Sequence, residues 1–257
     1  MTVAAGGLVL DLDGTVVDSE PLVDAGWTTL LTRHLGKAPP AVETLTGWSF
    51  SSRYRWALQY GGLPAPHTLR AELDAEVETA MAGGLPVFPD ALALISAAQH
   101  RRIPVALATQ SSRRRMASAL AAAGLEATFT VEVSSDDAAL PKPAPDLYLT
   151  ACKRLKIPSN QCLAAEDTVV GAKAAQAAGL TVIGINRGKP DAALTSIADV
   201  VTHTLCPRQL LSVCSGLPDT RDLLMLLAHP EPSDFGRPAR SHPDIRATKR
   251  LSVNAAL

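Results

Sequence analysis

Asp11 and Asp13 stand two residues apart in Asp11-Leu12-Asp13-Gly14-Thr15, at the end of the apolar run 7–12. Side chains at i and i+2 of an extended chain point the same way, so both carboxylates can converge on one small site. Two carboxylates held together repel, and a divalent cation relieves that repulsion. Mg2+ suits such a place because it takes a few hard oxygen ligands together with phosphate. Gly14 allows the tight turn, and Thr15 adds a hydroxyl or an amide. The plain alternative is that Asp and Gly merely end a strand, as they do in many turns.

Three further features follow in a compatible order. Thr109 closes the run PVALAT, where its hydroxyl and the next amide, that of Gln110, face the same edge. Ser111 and Ser112 then open a helix whose free N–H groups can meet an anion. Lys142 begins KPAPD at the mouth of another helix, where an ammonium can offset phosphate charge. Glu166-Asp167-Thr168-Val169-Val170-Gly171 supplies a second carboxylate pair between a strand and a helix. A strand-end Thr, a solvated Lys and a capping acidic pair are each common. Their joint placement at the carboxyl ends of successive strands, where open α/β sheets bind ligands, gives them weight.

The elements needed to position these residues are legible as strands at 7–12, 104–109, 129–134, 161–165 and 181–185. They alternate with helices at 89–102, from Ser112 to Gly124, at 145–156 and at 168–179. That alternation predicts parallel βαβ units in a doubly wound α/β sheet. The 98 residues between Asp11 and Thr109 break the rhythm. One βαβ step needs about 30 residues, which leaves roughly 65–70 inserted after the first strand. Residues 20–35, 51–60 and 68–81 carry apolar residues at helical spacing, with breaks at Pro39, Pro40 and 61–66. The expected organisation is a core of residues 1–17 and 87–215, a small helical cap at 18–86 lying over the first strand, and a tail at 216–257. The tail holds one short apolar run at 223–228 that admits a helix, and is otherwise expected to be largely disordered.

Composition excludes other classes. With 47% hydrophobic and 19% charged residues, the 257-residue chain supports a globular core. A formal charge of −1 and 4% aromatics argue against a polyanion-coating or base-stacking protein, so no nucleic-acid partner is expected. Cys152, Cys162, Cys206 and Cys214 form no metal-binding spacing and read as reduced thiols. No run is long and apolar enough to span a membrane, and residues 1–7 lack the basic start of a signal peptide. A cytoplasmic monomer is the expectation.

The set DLDGT, Thr109, KPAPD and EDTVVG resembles the haloacid dehalogenase superfamily, and DSEPL at 18–22 resembles its helical-cap branch, which includes β-phosphoglucomutase and sugar-phosphate phosphatases. The resemblance spans about residues 7–215. It implies Asp11 as nucleophile forming an aspartyl-phosphate, and Asp13 as general acid and then base. It implies Thr109, Gln110 and Lys142 on the phosphate, with Mg2+ held by Asp11, Asp167 and the Asp13 carbonyl, and Glu166 acting beside the metal or through water. Glu20, at the cap hinge, and Arg53, in the stretch 47–53 that looks like a specificity loop, are the candidate substrate contacts. The stronger reading is plainer, with Trp48 and Phe50 as cap core and Arg53 as a solvated helix residue. Of Arg113, Arg114 and Arg115, only Arg113 is expected near the site.

Within the superfamily, Asp13 argues against a dehalogenase. The absence of any lysine between Lys37 and Lys142 argues against a phosphonatase. Pro141 stands where glycine is usual, and Ala164 and Ala165 stand where bulkier residues are usual. The implied activity is a Mg2+-dependent phosphatase acting on a small phosphorylated metabolite, a sugar or polyol phosphate. The alternatives are a phosphosugar mutase, disfavoured by Val23 in place of a histidine, and a non-catalytic binding protein on the same fold.

Overall fold

The computed structural model describes residues 6–37, 39–40, 45, 50–214 and 221–228. It begins with β1 (Gly7–Leu10), then α1 (Glu20–Leu35), α2 (Phe50–Ala57) with a 3-10 turn at Leu58–Tyr60, and α3 (Pro66–Met81). There follow α4 (Pro89–His100), β2 (Val105–Ala108), α5 (Arg113–Ala123), β3 (Val131–Val133), α6 (Asp146–Leu155) and β4 (Cys162–Glu166). The chain continues through α7 (Val169–Ala177), β5 (Thr181–Ile185), α8 (Ala192–Thr195), β6 (Val200–Thr202), α9 (Pro207–Val213) and α10 (Arg221–Ala228). None of the described helices is long and apolar enough to cross a membrane.

The strands form one parallel six-stranded sheet in the order β3-β2-β1-β4-β5-β6. β1 and β4 are buried along their whole length, which explains their unbroken apolar runs. Their side chains alternate between two cores. Leu8 and Leu10 join Leu94, Leu107, Leu163 and Ile183 on one face, while Val9 joins Ala106, Ala164, Tyr148 and Val182 on the other. The chain runs outward from β1 to β3 and then returns to β4 on the other side of β1. The topological switch, where such sheets place a ligand, therefore lies between the ends of β1 and β4.

Local signals set the helix ends. The Ser112 side chain caps α5 by accepting from Arg115 N, and Gly124 closes that helix in the left-handed conformation, at φ 67°. Thr168 caps α7 through Gly171 N (3.1 Å). Helices α1 to α3 fill the interval after β1, and α3 packs on both α1 and α5. The two crossings into and out of this interval are tied together: Asp18 N donates to Pro86 O (2.8 Å) and Phe88 N to Val16 O (3.0 Å).

Several expectations change. The strand anticipated at 129–134 is only three residues long, and β6 lay in a stretch with no strand pattern. The apolar run at 223–228, where the sequence admits a helix, forms α10, which buries Leu223, Leu224 and Leu227 over the sheet face that carries Leu8, Leu10 and Leu163. The anticipated disorder of the rest of the tail falls on 216–220 and 229–257, outside the described residues, as do 47–49 with Trp48.

Candidate active site

Asp11 follows β1 directly, and its N–H donates to Ala165 O on β4 (3.1 Å), which joins the two strand ends at the switch. The chain then folds back sharply. Val16 N and Val17 N both donate to Leu12 O, at 2.9 and 3.0 Å. Gly14 sits at φ 79°, and a Cβ there would overlap Asp167 Oδ2. Glycine is therefore required at this point for backbone conformation and for room against a carboxylate.

Lys142 crosses from the loop before α6, despite Pro141 beside it, to the centre of the site. Its Nζ donates to Asp11 Oδ1 (2.6 Å), Glu166 Oε1 (2.5 Å) and Ala108 O (3.2 Å). Glu166, fully buried at the end of β4, also accepts from Tyr148 Oη (2.5 Å) and from Thr168 Oγ1 (3.1 Å), so both of its oxygens are engaged. Gly171 is needed for room alone, since a Cβ there would overlap the Glu166 carboxylate.

One oxygen each from Asp11, Glu166 and Asp167 lies within 4.8 Å of the others. Fully ionised, the three carboxylates would exceed the one Lys142 ammonium by two negative charges. Burial pushes the Asp11 carboxyl up, to about 8, although Lys142 pulls it down; Glu166 and Asp13 add to the rise. Asp167 is also pushed well above the usual carboxylate range, by burial and then by the Asp11 and Glu166 charges. Burial works against the Lys142 cation, but Asp11 and Glu166 outweigh it and hold its pKa above that of an ordinary lysine. Asp167 Oδ1 is buried with no hydrogen-bond partner among the described residues. An orphaned hard oxygen and carboxylates short of counter-charge fit a divalent cation of the Mg2+ type.

Asp13 occupies a different setting. Its side chain is 32% exposed, and hydroxyls hold it: Ser19 Oγ donates to Oδ1 (2.6 Å) and Ser111 Oγ to Oδ2 (3.2 Å). Ser111 thus serves the site, and Ser112 alone caps α5. Thr109 is buried, with Oγ1 accepting from Ser111 N (3.0 Å). Gln110 is exposed at the same loop and donates from Nε2 to the Lys142 carbonyl (3.2 Å).

The more distant candidates separate. Arg53 is only 2% exposed, which overturns its reading as a solvated residue. It binds Asp24 (2.6 Å) and lies 3.9 Å from Glu20, because α1 and α2 enclose it. Glu20 in turn meets Lys189 at 3.5 Å. Phe50 packs against Trp27 and Tyr54, as core does. Arg113 points away, to Asp137, and it is Arg115 that approaches Asp13, at 3.9 Å. A cleft of about 390 Å³ opens beside the site, lined by Arg70, Gln110, Ser135, Ala139, Pro141 and Leu147.

Two residues at the site carried no motif. Tyr148 lies on the buried stripe of α6, and a buried phenol needs a polar partner, which was the signal available. Arg187 braces the nucleophile loop. It donates to Gly14 O (3.4 Å) and Thr15 O (2.5 Å), forms two bonds to Asp90, and stacks 3.7 Å over the Phe88 ring.

A family model described as haloacid dehalogenase-like hydrolase matches residues 6–179. The chain is 32% identical to hexitol phosphatase A of Escherichia coli (strain K12), over 77% of this chain and 91% of that one. It is 30% identical to a fructose-1-phosphate phosphatase of the same organism, over 70% and 95%. Among solved structures, a HAD family hydrolase from Deinococcus radiodurans R1 with bound phosphate and sodium superposes with TM-score 0.66 at 26% identity, covering 89% of this chain and all of that one.

Proposed function

Because the chain belongs to the haloacid dehalogenase-like hydrolase family, we propose that this phosphoric monoester hydrolase is Mg2+-dependent and acts on a sugar or polyol phosphate through an aspartyl-phosphate. The observation that carries the reading is the contrast between two neighbouring carboxylates. Asp11 is buried against an ammonium, and Asp13 is partly open and held by hydroxyls. Environments that differ in this way suit one group to attack and the other to move protons.

Asp11 attacks phosphorus while the bond to the leaving oxygen breaks, and Asp13 gives that oxygen its proton. Water then attacks the aspartyl-phosphate and passes a proton to Asp13, which restores both carboxyl groups and frees phosphate. Lys142 neutralises charge on the transferring group and, with Thr109, fixes it in line. Asp11, Asp167 and the Asp13 carbonyl would hold Mg2+, whose chemistry is to neutralise the phosphoryl oxygens. Glu166, with both oxygens occupied, orients Lys142.

We take residues 18–86 as the cap. The paired crossings at Asp18 and Phe88 support hinge points there. The cleft beside Gln110 would receive the leaving group, and Glu20 and Arg53 would shape the cap side. Free thiols at all four cysteines support a cytoplasmic setting, where the chain would act as a monomer.

The test is phosphate release from fructose 1-phosphate, hexitol phosphates and p-nitrophenyl phosphate, with Mg2+ or a chelator. Release that needs Mg2+ and vanishes in Asp11→Asn is expected. An isomerised sugar phosphate without release would identify a mutase, and no product from any substrate would leave a binding protein.

A further inference from the structure

The first turn of α5 is Arg113-Arg114-Arg115, and its three side chains have separate fates. Arg113 turns to Asp137, Arg114 reaches Glu78 of α3 at 2.9 Å, and Arg115 enters the seam between α3 and α5. There Arg115 is only 12% exposed. One terminal nitrogen, Nη1, bonds Asp74 Oδ1 of α3, and the other, Nη2, stops 3.9 Å from Asp13 Oδ1. Its Nε is buried without a partner among the described residues. Asp74 is itself steadied on its far side by Arg70 Nε, 3.6 Å from Oδ2.

A guanidinium between two carboxylates goes to whichever offers the better geometry, because hydrogen-bonded contact with a carboxylate far outweighs proximity. Here Asp74 has it in contact, and Asp13 keeps hydrogen bonds from two hydroxyls with the guanidinium at only a long 3.9 Å approach. Asp74 belongs to the inserted helices and Asp13 to the loop after β1, so the choice depends on where α3 sits relative to α5.

We propose that Arg115 is a positioning residue that makes Asp13 responsive to the inserted helices: Asp74 holds the guanidinium off Asp13 when α3 is docked, and releases it to Asp13 when α3 withdraws. Docked, Asp13 is free to face the leaving oxygen. Undocked, Arg115 closes the short remaining gap and turns the carboxylate into an ion pair, so the group that moves protons is engaged only under a seated cap. This inference rests on the role given to Asp13 above.

Asp74→Asn removes the competing charge while leaving α3 in place. It is expected to lower kcat at least about tenfold, a part of what general acid–base catalysis contributes, with KM changed less than about twofold. Asp74→Asn combined with Arg115→Met is expected to recover most of that loss, because the guanidinium that invades Asp13 is gone. Steady-state kinetics on p-nitrophenyl phosphate, with thermal unfolding of each variant, reads both. Asp74→Ser replaces the Asn variant if the latter does not fold. A raised KM at unchanged kcat, or a double variant no better than Asp74→Asn, would show that the pair only latches the seam and would overturn the proposal. A wild-type chain that releases phosphate from no monoester overturns instead the reading on which it rests, and this proposal with it.

Discussion

Lys142 joins Asp11 to Glu166, and Tyr148 donates to the same Glu166 oxygen, so the ammonium is held from both sides. Without a cation the balance remains unfavourable to Asp11, whose carboxyl titrates at about 8 in the fold against 3.8 ordinarily. The folded protein then binds more protons than the unfolded chain between those values, and the Asp11 contribution to stability disappears as pH rises through about 8. Burial raises Asp167 too, so its contribution has the same sign. Chelated protein is thus expected to melt at a lower temperature at about pH 8.5 than at about pH 5, and Asp11→Asn to flatten that slope. A melting temperature that rises over this range in chelator would contradict the buried, charge-crowded site. DLDGT and EDTVVG were legible at this scale because each packs its chemistry into a few consecutive residues. Arg115 and Tyr148 were not, because only the packing of α5 against α3 and of α6 against β1 and β2 brings them to the carboxylates.

At the scale of elements, the loop after β1 depends on a residue 172 positions further along the chain: Arg187 donates to Thr15 O. That side chain is also paired with Asp90 at the start of α4 and stacked on Phe88, so it ties the nucleophile loop to the return crossing. Arg187→Met would leave Asp90 with Thr204, Leu205 and Ala91 but without its cation, and would take a donor from two carbonyls, so it is expected to cost about 2 kcal/mol in a partly buried setting. A lower kcat should accompany it, because Asp13 rides on the same loop. Urea unfolding and turnover check both, and a variant that matches wild type in each would remove Arg187 from this role. The strands carrying the motifs were readable as apolar runs ending in polar residues. β6 was not: three residues between Asp199 and His203 show neither alternation nor length, and pairing with β5 makes them a strand. Arg53 was misread because helix periodicity does not reveal a charged residue enclosed by its own carboxylate partner, Asp24.

The whole molecule shows why the inserted helices leave the sheet intact. The entropy cost of a longer connection grows only as the logarithm of its length, and the crossings at Asp18 and Phe88 are closed by hydrogen bonds. At the other end of the chain, α10 covers the sheet face that would otherwise expose Leu8 and Leu163. The strand order has a consequence during synthesis. β1 leaves the ribosome first, yet it is the central strand, and its second neighbour β4 is completed only at Glu166. Until then the growing chain carries this wholly buried strand with one edge unpaired, a state open to misassociation. Nascent chains arrested before Cys162 should therefore be digested quickly by protease, and a resistant fragment should emerge only once β4 and β5 have cleared the exit tunnel. Early protection would show that β1 to β3 hold together alone. Otherwise the nucleophile is made before any other strand of the sheet, and the pocket that gives it meaning is assembled only after β4 and β5 have followed.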